Sequence, residues 1–166
     1  MTTPLTPDQH LTMAAALAHA SEPAEVYRVV DAVLAASVGF GLFTLLVRTP
    51  DGQEVSRVYS TNPHAYPLAG RKRMGLTPWG ALVLEQQQCY LTNDAQGIAW
   101  AFPDHALIAS LGLSRAINVP LVAMQQVFGT INLLDGPGRY TEADIEVVRS
   151  IAPYLVRPFQ RELSPG

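Results

Sequence analysis

Two apolar runs between Ser114 and Asp135 constrain the fold more than any other feature of the chain. Residues 115–122 and 127–134 are rich in β-branched side chains, and only residues 123–126 separate them. Such a pattern predicts an antiparallel hairpin. Apolar residues occur on both faces of each run, which is typical of central strands rather than edge strands.

Strict alternation along the second strand predicts which residues share a face. The first expected group is Phe128, Thr130, Asn132 and Leu134. The second expected group, on the opposite face, is Val127, Ile131 and Leu133.

The segment after the hairpin carries a helix start. Gly136-Pro137-Gly138 ends the strand, and Thr141 is placed to cap the backbone amide of Asp144. Asn118-Val119-Pro120-Leu121, the hairpin, the glycine turn and Tyr140-Thr141-Glu142-Ala143-Asp144 together resemble the closing half of a GAF domain. The resemblance extends more weakly back to Glu22.

GAF domains are small-molecule-sensing modules, so the resemblance implies both a fold and a function. The implied fold is α/β (α+β), with a central antiparallel sheet of five to six strands. Terminal helices lie on one face, and loops and short helices cover a pocket on the other. We expect an N-terminal helix over 1–20, a GAF-like domain over 21–162 and a C-terminal tail over 163–166.

Composition excludes several classes of function. The 166 residues carry a net charge of −3, so no basic excess suggests nucleic acid or an anionic membrane as a partner. A single cysteine, Cys89, excludes an internal disulfide and fits a reducing compartment. The N-terminus has neither the basic start nor the apolar core of a signal peptide. We therefore predict a cytoplasmic protein.

Helices are predicted at both ends of the chain. Thr6, Pro7 and Gln9 form a capping-box pattern for a helix that reaches about Ala20. Two further apolar stripes follow helical spacing. The first comprises Val26, Val29, Val30, Val33 and Leu34, and the second comprises Ile145, Val148, Ile151, Ala152, Leu155 and Phe159. Pro153 and Pro158 are expected to kink or end the last helix.

The middle of the chain predicts a hairpin followed by a long excursion rich in Pro, Gly, Asn and aromatic residues. The predicted elements are strands 42–47 and 54–59, a helix from Thr77 to about Gln87, a strand over 89–92, a loop carrying Trp100-Ala101-Phe102, and a helix from Pro103 to about Gly112. We expect any binding site to lie under this excursion, because long loops beside a rigid sheet commonly carry ligand sites.

The candidate ligand-binding residues are aromatic and polar side chains that gather in or beside the excursion. They are Tyr59, Ser60, Asn62, Tyr66, Trp79, Trp100, Phe102, His105, Arg115 and Asn118. For each aromatic residue the alternative is a purely structural role in a second core. Asn118 could hold a ligand or a backbone group, whereas Asn132 is favoured to bond a loop. Arg71-Lys72-Arg73 could attract an anion or simply be a solvated loop.

Catalytic and metal sites find little support. His10, His19, His64 and His105 show no ligand spacing, and we predict neither a metal nor a cofactor. Residues 102–105 are similar to a motif of the free methionine-(R)-sulfoxide reductases, a GAF branch, but the family cysteine after the histidine is missing. Residues 132–133 and 144–145 lack the Lys and Glu of cyclic-nucleotide-binding members.

The sequence therefore predicts a stand-alone module that senses a small organic ligand and is not an enzyme. We expect a homodimer formed by the terminal helices, which signal to a separate output protein. One alternative is a non-binding dimerisation or scaffold domain. The other is an enzyme, either a thiol-dependent reductase resembling the free methionine-(R)-sulfoxide reductases or an acid–base catalyst, whose reaction would have to involve Cys89 or His105.

Overall fold

A computed structural model describes residues 2–164 and contains a six-stranded antiparallel sheet between two helical layers. The strands are β1 (Leu42–Arg48), β2 (Glu54–Ser60), β3 (Lys72–Arg73), β4 (Tyr90–Thr92), β5 (Arg115–Ala123) and β6 (Gln126–Asp135). The helices are α1 (Pro7–His19), α2 (Pro23–Ser37), α3 (Pro78–Gly80), α4 (Ala95–Ala101), α5 (His105–Ser110), α6 (Glu142–Ile151) and α7 (Val156–Leu163). The strand order is β3-β2-β1-β6-β5-β4, which confirms the predicted fold class.

The β5–β6 hairpin occupies the centre of the sheet, as predicted. Its two turn residues, Met124 and Gln125, have φ values of 51° and 66°. Two successive positive φ angles match the twist of flanking strands, as in the turns that tight hairpins prefer. On its other side β6 pairs with β1, so β6 is hydrogen-bonded along both edges.

A bulge in β6 corrects the predicted facing of two residues. Leu121 pairs with Gly129, but Val122 pairs with Val127, so Phe128 is an extra residue without a partner on β5. The extra residue reverses the alternation, because side chains change face at every position. Phe128 therefore packs on the side of the sheet that carries Ile131 and Leu133, whereas Val127 packs on the opposite side, in the cluster that contains Trp79.

The first layer covers what we call the helix face of the sheet. Helices α1, α2, α6 and α7 pack there on alternate residues of the central strands. The strand side chains buried in this core are Phe43, Leu45, Val47, Ile117, Val119, Leu121, Ile131 and Leu133. The alanine-rich α1 contributes Met13, which is fully buried.

Caps and Pro153 place the terminal helices as the sequence indicates. The Thr6 hydroxyl accepts a hydrogen bond from the Gln9 amide at 3.1 Å, and the Gln9 side chain accepts one from the Thr6 amide at 2.8 Å. Thr141 is the N-cap of α6. Pro153 lies in a 3₁₀ turn over Ala152–Leu155 that separates α6 from α7. The expectation that Pro158 ends the last helix is wrong, because Pro158 lies in the first turn of α7, where its missing amide hydrogen has no partner to lose.

The second layer covers the opposite side, which we call the cavity face. It contains the loop 61–77 and helices α3, α4 and α5; α3 continues as a π-helical turn over Ala81–Glu85. Two smaller apolar clusters fill much of this side.

Two local predictions on the cavity face are wrong. Trp100 and Ala101 lie in α4 rather than in a loop, because Asp94 caps this helix by accepting a hydrogen bond from the Gly97 amide at 2.8 Å. Lys72 and Arg73 are exposed, as expected of a solvated segment, but they pair with β2 as the edge strand β3 rather than lying in a loop.

The two ends of the chain complete the description. Helix α7 ends at Leu163, and the expected tail over 163–166 lies partly outside the described residues. Within residues 2–164, none of the helices combines the length and the apolar character needed to cross a bilayer.

Candidate functional site

A cavity of about 340 Å³ lies between the cavity face of the sheet and the second layer. Strands β1, β2 and β6 form its floor through Leu42, Thr44, Leu46, Val55, Arg57, Asn132 and Leu134. Tyr66, Ala69, Met74, Gly75, Thr77 and Trp79 form its cover. Lys72 and Arg73 on the edge strand β3 lie at its rim, and residues 101–104 with Ile108 form one side. The walls therefore combine a rigid sheet with loops and short helices.

Three buried amide and indole groups join the cover to the floor. Trp79 Nε1 donates a hydrogen bond to Asn118 Oδ1 at 3.0 Å, and Asn118 Nδ2 donates to Asn132 Oδ1 at 2.8 Å. Asn132 Nδ2 then lies 3.3 Å from the Thr44 hydroxyl oxygen and 3.4 Å from the Thr44 carbonyl oxygen. Asn118 is fully buried, so this network satisfies amide groups that would otherwise be costly inside the protein.

The direction of this network follows from its first member. An indole N–H can only donate, so Asn118 must present its oxygen to Trp79 and its NH₂ group to Asn132. Asn132 in turn must present its NH₂ group to Thr44. The Thr44 oxygen is thereby an acceptor, and its hydrogen finds no acceptor among residues 2–164. At the cavity, the network therefore ends in a hydrogen-bond donor, the Thr44 hydroxyl.

A second polar group lies at the side of the cavity. The Tyr66 hydroxyl donates to Asp104 Oδ2 at 2.5 Å, and the Arg57 guanidinium lies 5.1 Å from the centre of the Tyr66 ring. Burial raises the pKa of Tyr66, and the neighbouring Asp104 carboxylate raises it further. Tyr66 is therefore a neutral donor that occupies one carboxylate oxygen of Asp104.

The charged side chains of the wall are mostly cationic. Arg57, Lys72 and Arg73 line the cavity, and Asp104 is the acidic residue in the same lining. Arg57 donates one hydrogen bond to the Pro67 carbonyl at 2.9 Å, which uses part of its donor capacity. The lining carries two more positive than negative charges, although the whole chain carries a net charge of −3.

Four of the ten residues expected from sequence are associated with the cavity. Tyr66, Trp79 and Phe102 line it, and Asn118 lies beneath it, where it supports Trp79 and Asn132. These residues lie up to 52 positions apart in the sequence, and the folding of the excursion over the sheet brings them together.

Three other expected residues lie elsewhere. Tyr59 packs on the helix face against Tyr27 and Phe43, and its hydroxyl donates to Asp31. Ser60 and Asn62 are used in a turn: the Ser60 hydroxyl accepts from the Asn62 amide, and Asn62 Oδ1 accepts from the Ala65 amide.

The last three also lie outside the cavity lining. Trp100 is 47% exposed and stacks on Tyr90 with ring centres 5.1 Å apart. His105 is exposed at the start of α5. Arg115 pairs with Asp135 at 2.7 Å and lies over the Tyr140 ring.

Sequence reasoning did not select Thr44, Arg57 or Asp104 and favoured a loop contact for Asn132. Thr44 on β1 pairs directly with Asn132 on β6, and Arg57 on β2 pairs with Leu46, two positions after Thr44 on β1. A polar residue on the inward period of a half-apolar strand is the signal that could have identified them.

The single thiol is remote from the cavity lining. Cys89 packs against the helix-face core, and burial raises its pKa while Arg149 opposes that shift. A raised pKa leaves little reactive thiolate near neutral pH. Among residues 2–164, no group of three or more His, Cys, Asp or Glu side chains is arranged to hold a metal ion.

Solved structures confirm the fold. The GAF domain of a phosphoenolpyruvate-protein phosphotransferase from Acinetobacter is 12% identical with a TM-score of 0.72, covering 98% of each chain. The corresponding domain from Coxiella burnetii is 13% identical with a TM-score of 0.71, covering 93% of this chain and 92% of that one. JSC1_58120g3 with bound biliverdin is 12% identical with a TM-score of 0.63, covering 92% and 98%. A search of curated proteins found no match.

A helix-backed antiparallel sheet with a covered cavity on its other face defines a class of α+β domain that can enclose a small molecule. A GAF-domain family model matches residues 20–156, and the chain therefore belongs to the GAF family. This family consists of small-molecule-sensing and regulatory modules that are generally not enzymes.

Proposed function

We propose that the chain is a sensory module that binds a small organic molecule in the cavity described above. The observation that carries this proposal is a covered space of about 340 Å³ whose floor presents buried polar groups among apolar side chains. Cavities of roughly 300–1,000 Å³ with few polar groups are typical ligand sites. The neighbour that holds biliverdin supports the idea that this fold can enclose an organic ligand.

The proposed contact residues combine two sets. Tyr66, Trp79 and Phe102 supply aromatic surface, and Thr44, Arg57 and Asn132 supply polar groups. Asn118 positions Trp79 and Asn132 rather than touching the ligand. Tyr59, Ser60, Asn62, Trp100, His105 and Arg115 are no longer part of the proposed set.

Ligand binding is proposed to reach the terminal helices through the covering loop. The Ala69 amide of the loop donates to the Arg57 carbonyl on β2, and the Met74 amide donates to the carbonyl of Gln53, the residue before β2. Between them, Arg71 Nη2 donates to the Leu163 carbonyl at 3.4 Å, at the last residue of α7. A ligand that orders this loop would change the contact between Arg71 and the end of α7. A change of this kind can shift an equilibrium between two conformations of the terminal helices.

The partner of this signal is proposed to bind the terminal helices. Leu11 on α1 is 67% exposed and lies among exposed alanines, which suits close approach of another helix. We propose a cytoplasmic homodimer formed through these helices, which transmits the change to an output partner.

Native mass spectrometry of the purified wild-type protein, Trp79→Ala and Trp100→Ala tests the binding role. We expect a non-covalent adduct on the wild type and on Trp100→Ala, and its loss from Trp79→Ala, because Trp79 forms the cover. Circular dichroism checks that both variants are folded.

Either of two outcomes contradicts the proposal. An adduct that persists equally in both variants would place the ligand elsewhere. A bare wild-type mass, together with no thermal stabilisation by any member of a metabolite panel, would favour a non-binding scaffold instead.

A further inference from the structure

The polar wall of the cavity offers donors and positive charge but few free acceptors. Thr44 must direct its hydroxyl hydrogen away from Asn132, since the network that starts at Trp79 fixes that side chain as a donor to Thr44. Arg57 retains donors beyond the bond to Pro67. The Asp104 carboxylate already accepts from Tyr66. A ligand must therefore supply acceptors of its own.

The charge of the lining points in the same direction. Lys72 and Arg73 lie on β3 at the rim, where long cationic side chains can reach over the cavity while their charged ends stay hydrated. Arg57 lies deeper, on β2. A planar guanidinium matches a carboxylate in geometry as well as in charge.

We propose that the cavity selects a small organic anion, a carboxylate group on an apolar body. This inference rests on the proposed function, because it names the class of ligand for the same cavity. The carboxylate binds between Arg57 and the Thr44 hydroxyl, and Lys72 and Arg73 draw the anion in. The apolar body lies against Trp79 and Phe102.

A variant with Trp79 as its sole tryptophan makes binding in the cavity directly observable. Trp100→Phe removes the tryptophan that stacks on Tyr90 outside the cavity lining, so the indole N–H signal of Trp79 stands alone in the ¹⁵N NMR spectrum. This N–H is the one bonded to Asn118, and its shift is sensitive to anything that moves the cover.

The experiment titrates this protein with four acids and their primary amides: benzoate, 3-phenylpropionate, octanoate and glutarate against benzamide, 3-phenylpropionamide, octanamide and glutaramide. Each pair has nearly the same shape and differs in charge. We expect at least one acid to shift the Trp79 signal with a dissociation constant about tenfold or more below that of its amide.

Three variants assign the selectivity to Arg57. In Arg57→Gln the preferred acid should lose about tenfold in affinity while its amide is unchanged, and Arg57→Lys should recover part of the loss. Arg139→Gln removes the same charge from an exposed loop residue before α6 and should leave both affinities as they were. The unchanged amide shows that the cover remains folded in Arg57→Gln.

The outcomes separate the two proposals. If amides bind as well as acids, or if Arg57→Gln weakens both alike, the anion is the wrong class although the cavity still binds small molecules. If neither acids nor amides shift the Trp79 signal, the anion inference is overturned, and the adduct measurement above then decides whether the cavity binds any ligand.

Discussion

Neighbouring residues of one strand meet two different interiors in this protein. On β6, Ile131 and Leu133 pack into the continuous core under the helices, and both are fully buried. Asn132 and Leu134 point to the opposite side, where they line a cavity. The same strand therefore contributes to stability through one set of residues and to the candidate site through the other.

The difference lies in what each face must satisfy. On the helix face, apolar side chains need only close packing, which Leu, Ile, Val and Phe provide. On the cavity face, Asn118 and Asn132 bond each other and need further partners from two distant segments, Trp79 and Thr44. Functional sites often depart in this way from the rules that otherwise favour an apolar core.

Truncating adjacent leucines gives the largest expected contrast between the faces. Leu133→Ala should lower the free energy of unfolding by about 2–5 kcal/mol, because it opens a void inside a closed core. Leu134→Ala should cost at least about 1 kcal/mol less, since its side chain already borders empty space. Urea unfolding followed by circular dichroism measures both, and equal losses would mean that the two faces are equally packed.

Breaking the amide network tests whether the cavity face depends on polar satisfaction. Asn118→Leu leaves Trp79 Nε1 and Asn132 Oδ1 buried without their partner, which should cost about 1–3 kcal/mol. In a Trp100→Phe background it should also shift the Trp79 emission spectrum, because the indole loses its acceptor. Asn93→Leu, which removes an amide from a loop contact with Tyr140, serves as a comparison. An unchanged stability in Asn118→Leu would show that the network is dispensable.

The smallest contrast concerns alkaline pH. Burial raises the pKa of Tyr27 on the helix face and of Tyr66 in the cavity, so both stay neutral in the folded chain where they ionise in the unfolded chain. The folded chain then holds more protons, and stability should fall as pH rises above about 10, by at most about 1.4 kcal/mol per pH unit for Tyr27.

Matched variants show which tyrosine causes this decrease in stability at alkaline pH. Tyr27→Phe should flatten the pH dependence more than Tyr66→Phe, because Arg57 and solvent at the cavity partly offset the cost of a charged Tyr66. Denaturant unfolding between pH 8 and 11 measures both slopes. A steeper contribution from Tyr66 would reverse the expected order.

Sequence alone could predict the helix face more fully than the cavity face. Apolar stripes such as Val26, Val30 and Val33 follow from local periodicity, and the capping residues Thr6 and Thr141 are local signals. These patterns need no knowledge of distant contacts. The central hairpin was predicted for the same reason.

The candidate site depended on contacts that no local pattern encodes. Trp79 and Trp100 both lie in the aromatic-rich excursion, and no local pattern distinguishes them. Trp79 nevertheless bonds Asn118, whereas Trp100 stacks on Tyr90 outside the cavity. The bulge at Phe128 also escaped prediction, because it follows from strand register. Gly129 beside it admits no side chain, since a Cβ there would lie 1.9 Å from the Leu46 carbonyl oxygen.

Short strands close both borders of the sheet. Strand β3 contains two residues and β4 three, while β1, β5 and β6 in the interior contain seven to ten. Unpaired backbone groups at a long, flat border would recruit strands from other molecules and lead to aggregation. Here β3 offers only a lysine and an arginine to such a neighbour. Self-assembly through continued β-pairing is therefore disfavoured, and a second copy must meet this molecule through side chains rather than through backbone hydrogen bonds.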